Sequence, residues 1–324
     1  MHARSAPGKT LWSIVVGDDH GPEWAPYNHQ LTEPCPIQYC RLDDSSTLLQ
    51  KAIRRATRVA PTSQVIVTAR TEYRAHWEPA LWFVNPEYRI VGNERCSSWV
   101  TTAAALLAIL TRSPSSIVAV FPARSFVTHE QPLAEAVDRA IRLVPQIPEG
   151  IVTLGMIDIH DGIDEDYLIP AGDSSGSGLV LRGVAKQPVS WIAQHLKRQG
   201  AVVASEILIG YVGALVAHVT RTWPGLYSKL YKFQMDAKVT GGETVIPESV
   251  RQGLSSGMLR SFRWYPPSLP QRATVVRYCG WSSLRTARVV ARIGAVVGSS
   301  INEDQNVHFF RRAISQSRDQ PSII

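Results

Sequence analysis

The stretch WSIVVGDDHGPEWAP, Trp12–Pro26, decides the fold. Ile14, Val15 and Val16 run without polar alternation, the pattern of a strand covered on both faces in a parallel sheet. Gly17 ends the run. An apolar strand followed by a glycine turn is a common place for backbone N–H groups to approach a phosphate. Asp18 and Asp19 follow instead of a base, and Arg41 is the sole Lys or Arg between Gly17 and Lys51. The architecture suggests phosphate, and the charge opposes it.

Outward from this strand, short apolar runs alternate with helical patterns. STLLQKAIRRATRVA spaces Leu48, Leu49, Ile53, Ala56 and Val59 at helical intervals, with Ser45 or Ser46 as the expected N-cap. QVIVTA is a second strand, TEYRAHWEPAL a helix, YRIVG a short strand and SWVTTAAALLAILTR a buried helix. SIVAVFPA, QPLAEAVDRAIRLVPQ and GIVTLGMI continue as strand, amphipathic helix and strand. This grammar predicts an α/β fold with a mostly parallel sheet flanked by helices. Ligands in such sheets lie beyond the carboxyl ends of the strands, which singles out Gly17–Asp19, Thr68–Arg70 and Phe121–Ser125. After residue 166 strands and helices mix, with DSSGSG as a hairpin-like loop and PGLYSKLYKFQ and SLRTARVVARI as helices.

The chain has 324 residues, 44% hydrophobic and 19% charged, enough for a large core. A net charge of +7 suits anionic partners, but the basic residues are scattered rather than gathered into a stripe, which argues against nucleic acid. Cys35, Cys40, Cys96 and Cys279 form no C-x-x-C pair and are expected as free thiols. The first ten residues lack an apolar core of the signal-peptide kind, and the longest apolar stretch, SEILIGYVGALVAHV, is interrupted by Glu206 and His218. The expected compartment is the cytoplasm, with no membrane span. DIHDGIDED, residues 158–166, misses the ligand order of a calcium loop and reads as an exposed acidic loop. No G-x-S-x-G, H-E-x-x-H or G-x-G-x-x-G occurs at the places where those chemistries need them.

The order of segments resembles the sugar-1-phosphate nucleotidylyltransferases, most closely the bacterial mannose-1-phosphate guanylyltransferases. PIQYCRLDDSSTLLQ, NERCSSWVTTA, FPARSF, DEDYLI, VAKQPVSW, VVASEILIG and YCGWSS follow one another as that family's motifs do. The resemblance implies a Rossmann-like nucleotidyltransferase fold of the glycosyltransferase-A type for the domain over residues 10–299, while the weakly patterned residues 300–324 read as a mobile C-terminal tail. It also implies a reaction: a sugar phosphate oxygen attacks the α-phosphorus of a nucleoside triphosphate. Both reactants are anionic, so positioning, cationic side chains and Mg²⁺ carry the catalysis.

Compared residue by residue, the chain departs where that chemistry is densest. Gly17 stays, but Asp18 stands where the family has a second Gly, and the expected Arg falls near Pro22. Ile37 replaces the Lys between Pro36 and Gln38. Arg124 stands for the metal-binding Asp, Ser125 for the His after it, and Ser283 for the late Asp. Ala204 replaces an Asn beside Ser205; Lys186, Arg95 and Tyr167 match. Ile37 cannot neutralise phosphate, and Arg124 would repel Mg²⁺.

The expectation is therefore a catalytically silent relative, a binding or regulatory protein in nucleotide-sugar or polysaccharide metabolism, needing no cofactor and open to a protein partner. The alternative is an active or weakly active transferase using Mg²⁺. In that case Arg124, Lys186 and Arg95 contact phosphates, and Asp18 or Asp19 holds metal. The candidate catalytic residues are Arg124 and Lys186, and the candidate substrate-binding residues are Gly17, Asp18, Asp19, Gln38, Arg95, Tyr167 and Ser205. A further expectation pairs Arg124 with Asp18 or Asp19 across the strand ends. Trp24 and Trp99 are expected to fill the base pocket, or else to stack on a base.

Overall fold

A computed structural model of the chain describes residues 10–18, 36–41, 46–93, 96–157, 165–172, 178–237, 242–251 and 270–283. Four parallel strands form its centre: β1 (Leu11–Val16), β2 (Val65–Arg70), β3 (Arg89–Gly92) and β4 (Ile117–Pro122). They lie in the order β3-β2-β1-β4. β1 shows why its sequence is apolar but for Ser13, whose buried hydroxyl donates to the Ala56 carbonyl at 3.2 Å. Leu11 and Val15 enter one core, with helices α1 (Leu48–Val59) and α4 (Glu130–Leu143), while Trp12 and Ile14 enter the other, with α3 (Ser98–Arg112). A strand covered on both faces has no solvent side to make polar, and each fully buried Ile or Val contributes about 1.5–3 kcal/mol relative to exposure.

The helices obey local chemistry. Thr47 is the N-cap of α1, not Ser45 or Ser46. Its hydroxyl accepts from the Gln50 N–H (3.2 Å) and Gln50 Oε1 accepts from the Thr47 N–H (2.9 Å), a reciprocal capping box. The segment expected as one helix from Thr71 is broken. Only α2 (Arg74–Trp77) is α-helical, between two 3₁₀ turns, because Pro79 lacks the N–H that a continuing helix needs. Trp77 is fully buried there and donates its Nε1–H to the Arg70 carbonyl at 2.7 Å.

Beyond β4 the sheet becomes mixed. β6 (Ile151–Met156) and β11 (Gln271–Val276) are parallel to each other and lie beyond β9 (Val202–Tyr211), which is antiparallel to β4 and to β6. β7 (Tyr167–Pro170) and β8 (Leu179–Ala185) form the antiparallel pair expected around the DSSGSG loop, whose residues 173–177 lie outside the described residues. Among the described strands of this sheet, only β8 and β9 oppose the direction of β1, so it is mostly parallel as expected. β7 also pairs with β9, so the pairings β9–β6–β11–β8–β7–β9 close on themselves around Leu168, Val202, Ala204 and Ala273. Gly155 is needed inside this ring, since a Cβ there would stand 2.2 Å from a Val202 methyl.

The long apolar stretch is a strand followed directly by a helix: β9 ends at Tyr211 and α6 (Val212–Thr222) begins. α6 and α7 (Pro224–Ala237) cover the same face as α3. α5 (Ser190–Arg198), α8 (Glu248–Arg251) and the two-residue strands β5 (Ser125–Phe126), β10 (Thr244–Val245) and β12 (Ser282–Ser283) complete the described elements. No helix among the described residues is long and apolar enough to cross a membrane. Cys40, Cys96 and Cys279 are free thiols, and burial pushes the Cys279 thiol pKa up. Cys35, the acidic loop 158–164, the expected helix after Ser283 and the tail lie outside the described residues.

Candidate functional site

The strand ends singled out by the sequence converge. Gly17 leaves β1 with its N–H on the Thr68 carbonyl at 3.1 Å. A Cβ on Gly17 would stand 2.6 Å from that carbonyl oxygen, so glycine here serves the close approach of β1 to β2. The Gly17 carbonyl accepts from Gln38 Nε2 and from the Tyr39 hydroxyl, both at 3.0 Å. These partners come from the buried 3₁₀ turn Ile37–Tyr39. Ile37, at the position where the family resemblance expects a phosphate-binding Lys, is 5% exposed and part of the core.

Asp18 turns inward. It is fully buried, and its Oδ1 accepts from the Thr68 hydroxyl while its Oδ2 accepts from the Thr101 hydroxyl of α3 at 2.7 Å. Arg70 Nε donates to the Asp18 backbone carbonyl at 3.0 Å. Asp18, named from the sequence as a candidate substrate-binding residue, thus ties β1, β2 and α3 together. A buried carboxylate has to be hydrogen-bonded, and two hydroxyls inside the protein meet that need.

Arg124 is also engaged. It follows β4 in the turn to β5, and its side chain is 11% exposed. Its Nη2 donates to both oxygens of Glu206, at 2.8 and 3.1 Å. Of the two expected partners, Asp18 has its carboxylate held by the Thr68 and Thr101 hydroxyls and Asp19 lies outside the described residues; the carboxylate seen on Arg124 is that of Glu206. Glu206 reaches Arg124 through a bulge. Thr153 pairs with Leu208 and Gly155 with Ala204, so one residue of β6 opposes three of β9, Ser205 to Ile207. Glu206 stands in the middle with φ +63°, and Ser205 Oγ accepts the Ile207 N–H at 3.2 Å. Ser205 is fully buried and serves this bulge.

Tyr167 and Lys186 lie close by. Tyr167 pairs with Val203 of β9 and with Ala185, the residue before Lys186. Val203 also pairs with Met156, so β7 lies across β9 from β6, on the side where β4 pairs. The Arg124–Glu206 pair sits in the gap between the end of β4 and the start of β7. Tyr167 is fully buried, and its pKa is pushed up to about 12, first by desolvation and then by the Glu165 charge. Between about pH 10 and 12 the neutral phenol is favoured in the folded state and not in the unfolded one. Its stabilisation is complete below the unfolded pKa near 10 and is lost as pH rises towards 12. Between pH 10 and 12, Tyr167→Phe is therefore expected to lose stability less steeply than the parent chain in pH-dependent urea melts. Equal slopes would contradict the buried phenol.

Asp19, Arg95, Pro22 and Trp24 lie outside the described residues. Trp99 is 6% exposed and stacks on Trp223 with ring centroids 4.2 Å apart, so it is a core residue of the α3–α6 layer. Mg²⁺ does not fit the described residues. The position where the resemblance has the metal-binding Asp carries the Arg124 guanidinium, the Asp18 carboxylate expected in its stead is bonded by Thr68 and Thr101, Asp19 is not among the described residues, and no group of three His, Cys, Asp or Glu side chains among those residues could hold a metal. Sequence reasoning missed Thr101, Tyr39 and Glu206. The signal for Glu206 was present, as the one acid inside the run VVASEILIG.

No protein-family model and no curated protein sequence matches the chain. Solved structures do resemble it. One is a Thermus thermophilus protein named mannose-1-phosphate geranyltransferase, at TM-score 0.60 and 14% identity, covering 88% of this chain and 79% of that one. Another is a Helicobacter pylori protein named mannose-6-phosphate isomerase, at TM-score 0.61 and 13% identity, covering 84% of this chain and 99% of that one. At this identity the likeness establishes the architecture: the chain has the α/β fold of these two proteins, both named for mannose phosphates.

Proposed function

We propose that this chain is a catalytically silent relative of the sugar-1-phosphate nucleotidylyltransferases, acting as a binding or regulatory protein in nucleotide-sugar metabolism. The observation that carries the reading is the Arg124–Glu206 pair, which fills with an internal ion pair the strand end where the resemblance expects a metal-binding carboxylate. Two further features support it. Ile37 is packed where a phosphate-binding Lys is expected, and Asp18 is bonded inside the sheet. Nucleotidyl transfer needs cations placed on the phosphates at the moment of reaction, and a guanidinium paired with a carboxylate through Nη2 is neutralised by it. The fold shared with proteins named for mannose phosphates supports a sugar phosphate or nucleotide sugar as the ligand class.

The test is pyrophosphate release from GTP and other nucleoside triphosphates with Mg²⁺ across a panel of sugar 1-phosphates, alongside calorimetry with the same ligands. The expected result is no release above background. Turnover in the ordinary enzyme range of about 1–10³ per second would overturn the proposal and restore an active transferase with a rearranged site.

A further inference from the structure

We infer that Arg124 is an anion-binding site whose resident anion is the chain's own Glu206 carboxylate, and that removing this carboxylate opens it to a small phosphate oxyanion. The inference rests on the reading of the strand ends as an inherited phosphate-binding architecture. It adds an internal ligand and says what that ligand stands in for.

Three observations meet here. First, the backbone goes out of its way to deliver Glu206. A bulge with three residues against one breaks the β6–β9 ladder, and its middle residue adopts φ +63°. That left-handed conformation is disfavoured for a residue with a Cβ, and such outliers persist where the surrounding structure holds them in place. The bulge is held by Ser205 Oγ on the Ile207 N–H, and by Thr153 Oγ1 donating to the Ile207 carbonyl at 3.0 Å.

Second, the contact is a charge-assisted one between guanidinium and oxyanion, made through Nη2. One guanidinium nitrogen lies within 3.1 Å of both carboxylate oxygens, with the side chains 11% and 25% exposed. Carboxylate and phosphate offer a guanidinium equivalent pairs of oxygens, and such charge-assisted bonds are about twice as strong as neutral ones. Third, the pair sits beyond the carboxyl end of β4, in the gap before β7, where ligands of open α/β sheets bind.

Glu206→Gly is the informative variant. It deletes the carboxylate, and φ +63° suits glycine, so no new backbone strain enters. Calorimetry with inorganic pyrophosphate, without metal, is expected to show binding about tenfold to a hundredfold tighter than in the parent chain. Adding Arg124→Ala is expected to abolish the gain. If the glycine variant does not fold, the near-isosteric Glu206→Gln takes its place, with a smaller gain. Unchanged affinity in a folded variant overturns the inference, as does a gain that survives Arg124→Ala. Turnover by the parent chain would overturn the silent reading and leave the pyrophosphate result standing. Unchanged pyrophosphate affinity with no turnover would do the reverse.

Discussion

Replacing Arg55 with alanine is expected to lower the unfolding free energy by about 3 kcal/mol. Arg55 lies on the buried face of α1 and is 5% exposed. Its Nε reaches both oxygens of Glu130 at 3.0 and 3.1 Å, its Nη2 reaches Oε1 at 2.8 Å, and its Nη1 reaches the Ser125 carbonyl at 3.1 Å. One side chain therefore joins α1, the first residue of α4 and the strand that begins just after Arg124. Removing it leaves a carboxylate and a buried carbonyl without these donors. Glu130 keeps 30% exposure, so water recovers part of the loss and the value falls at the low end for broken buried pairs. Arg55→Lys should recover under half, because an ammonium cannot reproduce the planar fork. The measurement is a urea melt at constant m-value. A loss below about 1 kcal/mol is the size of an exposed ion pair and would show that this one is solvated.

Asp18→Ala is expected to cost about 2–4 kcal/mol, the sum for two buried hydroxyls left without their acceptor. The Thr101 hydroxyl retains one substitute, the Ser98 carbonyl at 2.8 Å, so Thr68 bears most of the loss. The sign of the effect separates two roles. A carboxylate kept for a metal or a substrate is poorly satisfied in the free protein, and its removal leaves stability unchanged or raised. A carboxylate that holds β1, β2 and α3 together cannot be removed so lightly. Thermal melts of Asp18→Ala with and without Mg²⁺ decide between them. Destabilisation independent of the ion is the expected outcome, and stabilisation would return Asp18 to ligand duty.

Much of the fold was legible because it rests on periodicity. The apolar runs at residues 14–16 of β1, 65–67 of β2 and 117–121 of β4 are what burial on two faces requires, and SWVTTAAALLAILTR is helical from Ser98 to Arg112 as read. What apolar spacing could not give were choices made by polar side chains, some local and some tertiary. Thr47 displaced Ser45 and Ser46 as the cap because Gln50 lies three residues on, a pairing the apolar spacing does not encode. The strand-end segments were placed correctly at the same end of the sheet, yet their side chains turned inward. Whether Asp18 meets solvent or Thr68 and Thr101 depends on α3, about eighty residues away in sequence. Glu206 was visible only as an interruption, since a bulge two residues deep leaves no periodic trace.

The closed circuit β9–β6–β11–β8–β7–β9 has one more consequence. An open sheet presents a row of unpaired N–H and C=O groups at each margin, and each row is a template for another chain. Here one margin folds back onto β9, with Tyr167 and Leu168 paired to Val203 and Val202. The other is occupied by β10, only two residues long and beside β3. Strand-to-strand aggregation is thus limited by geometry at both sides, by closure at one and by brevity at the other.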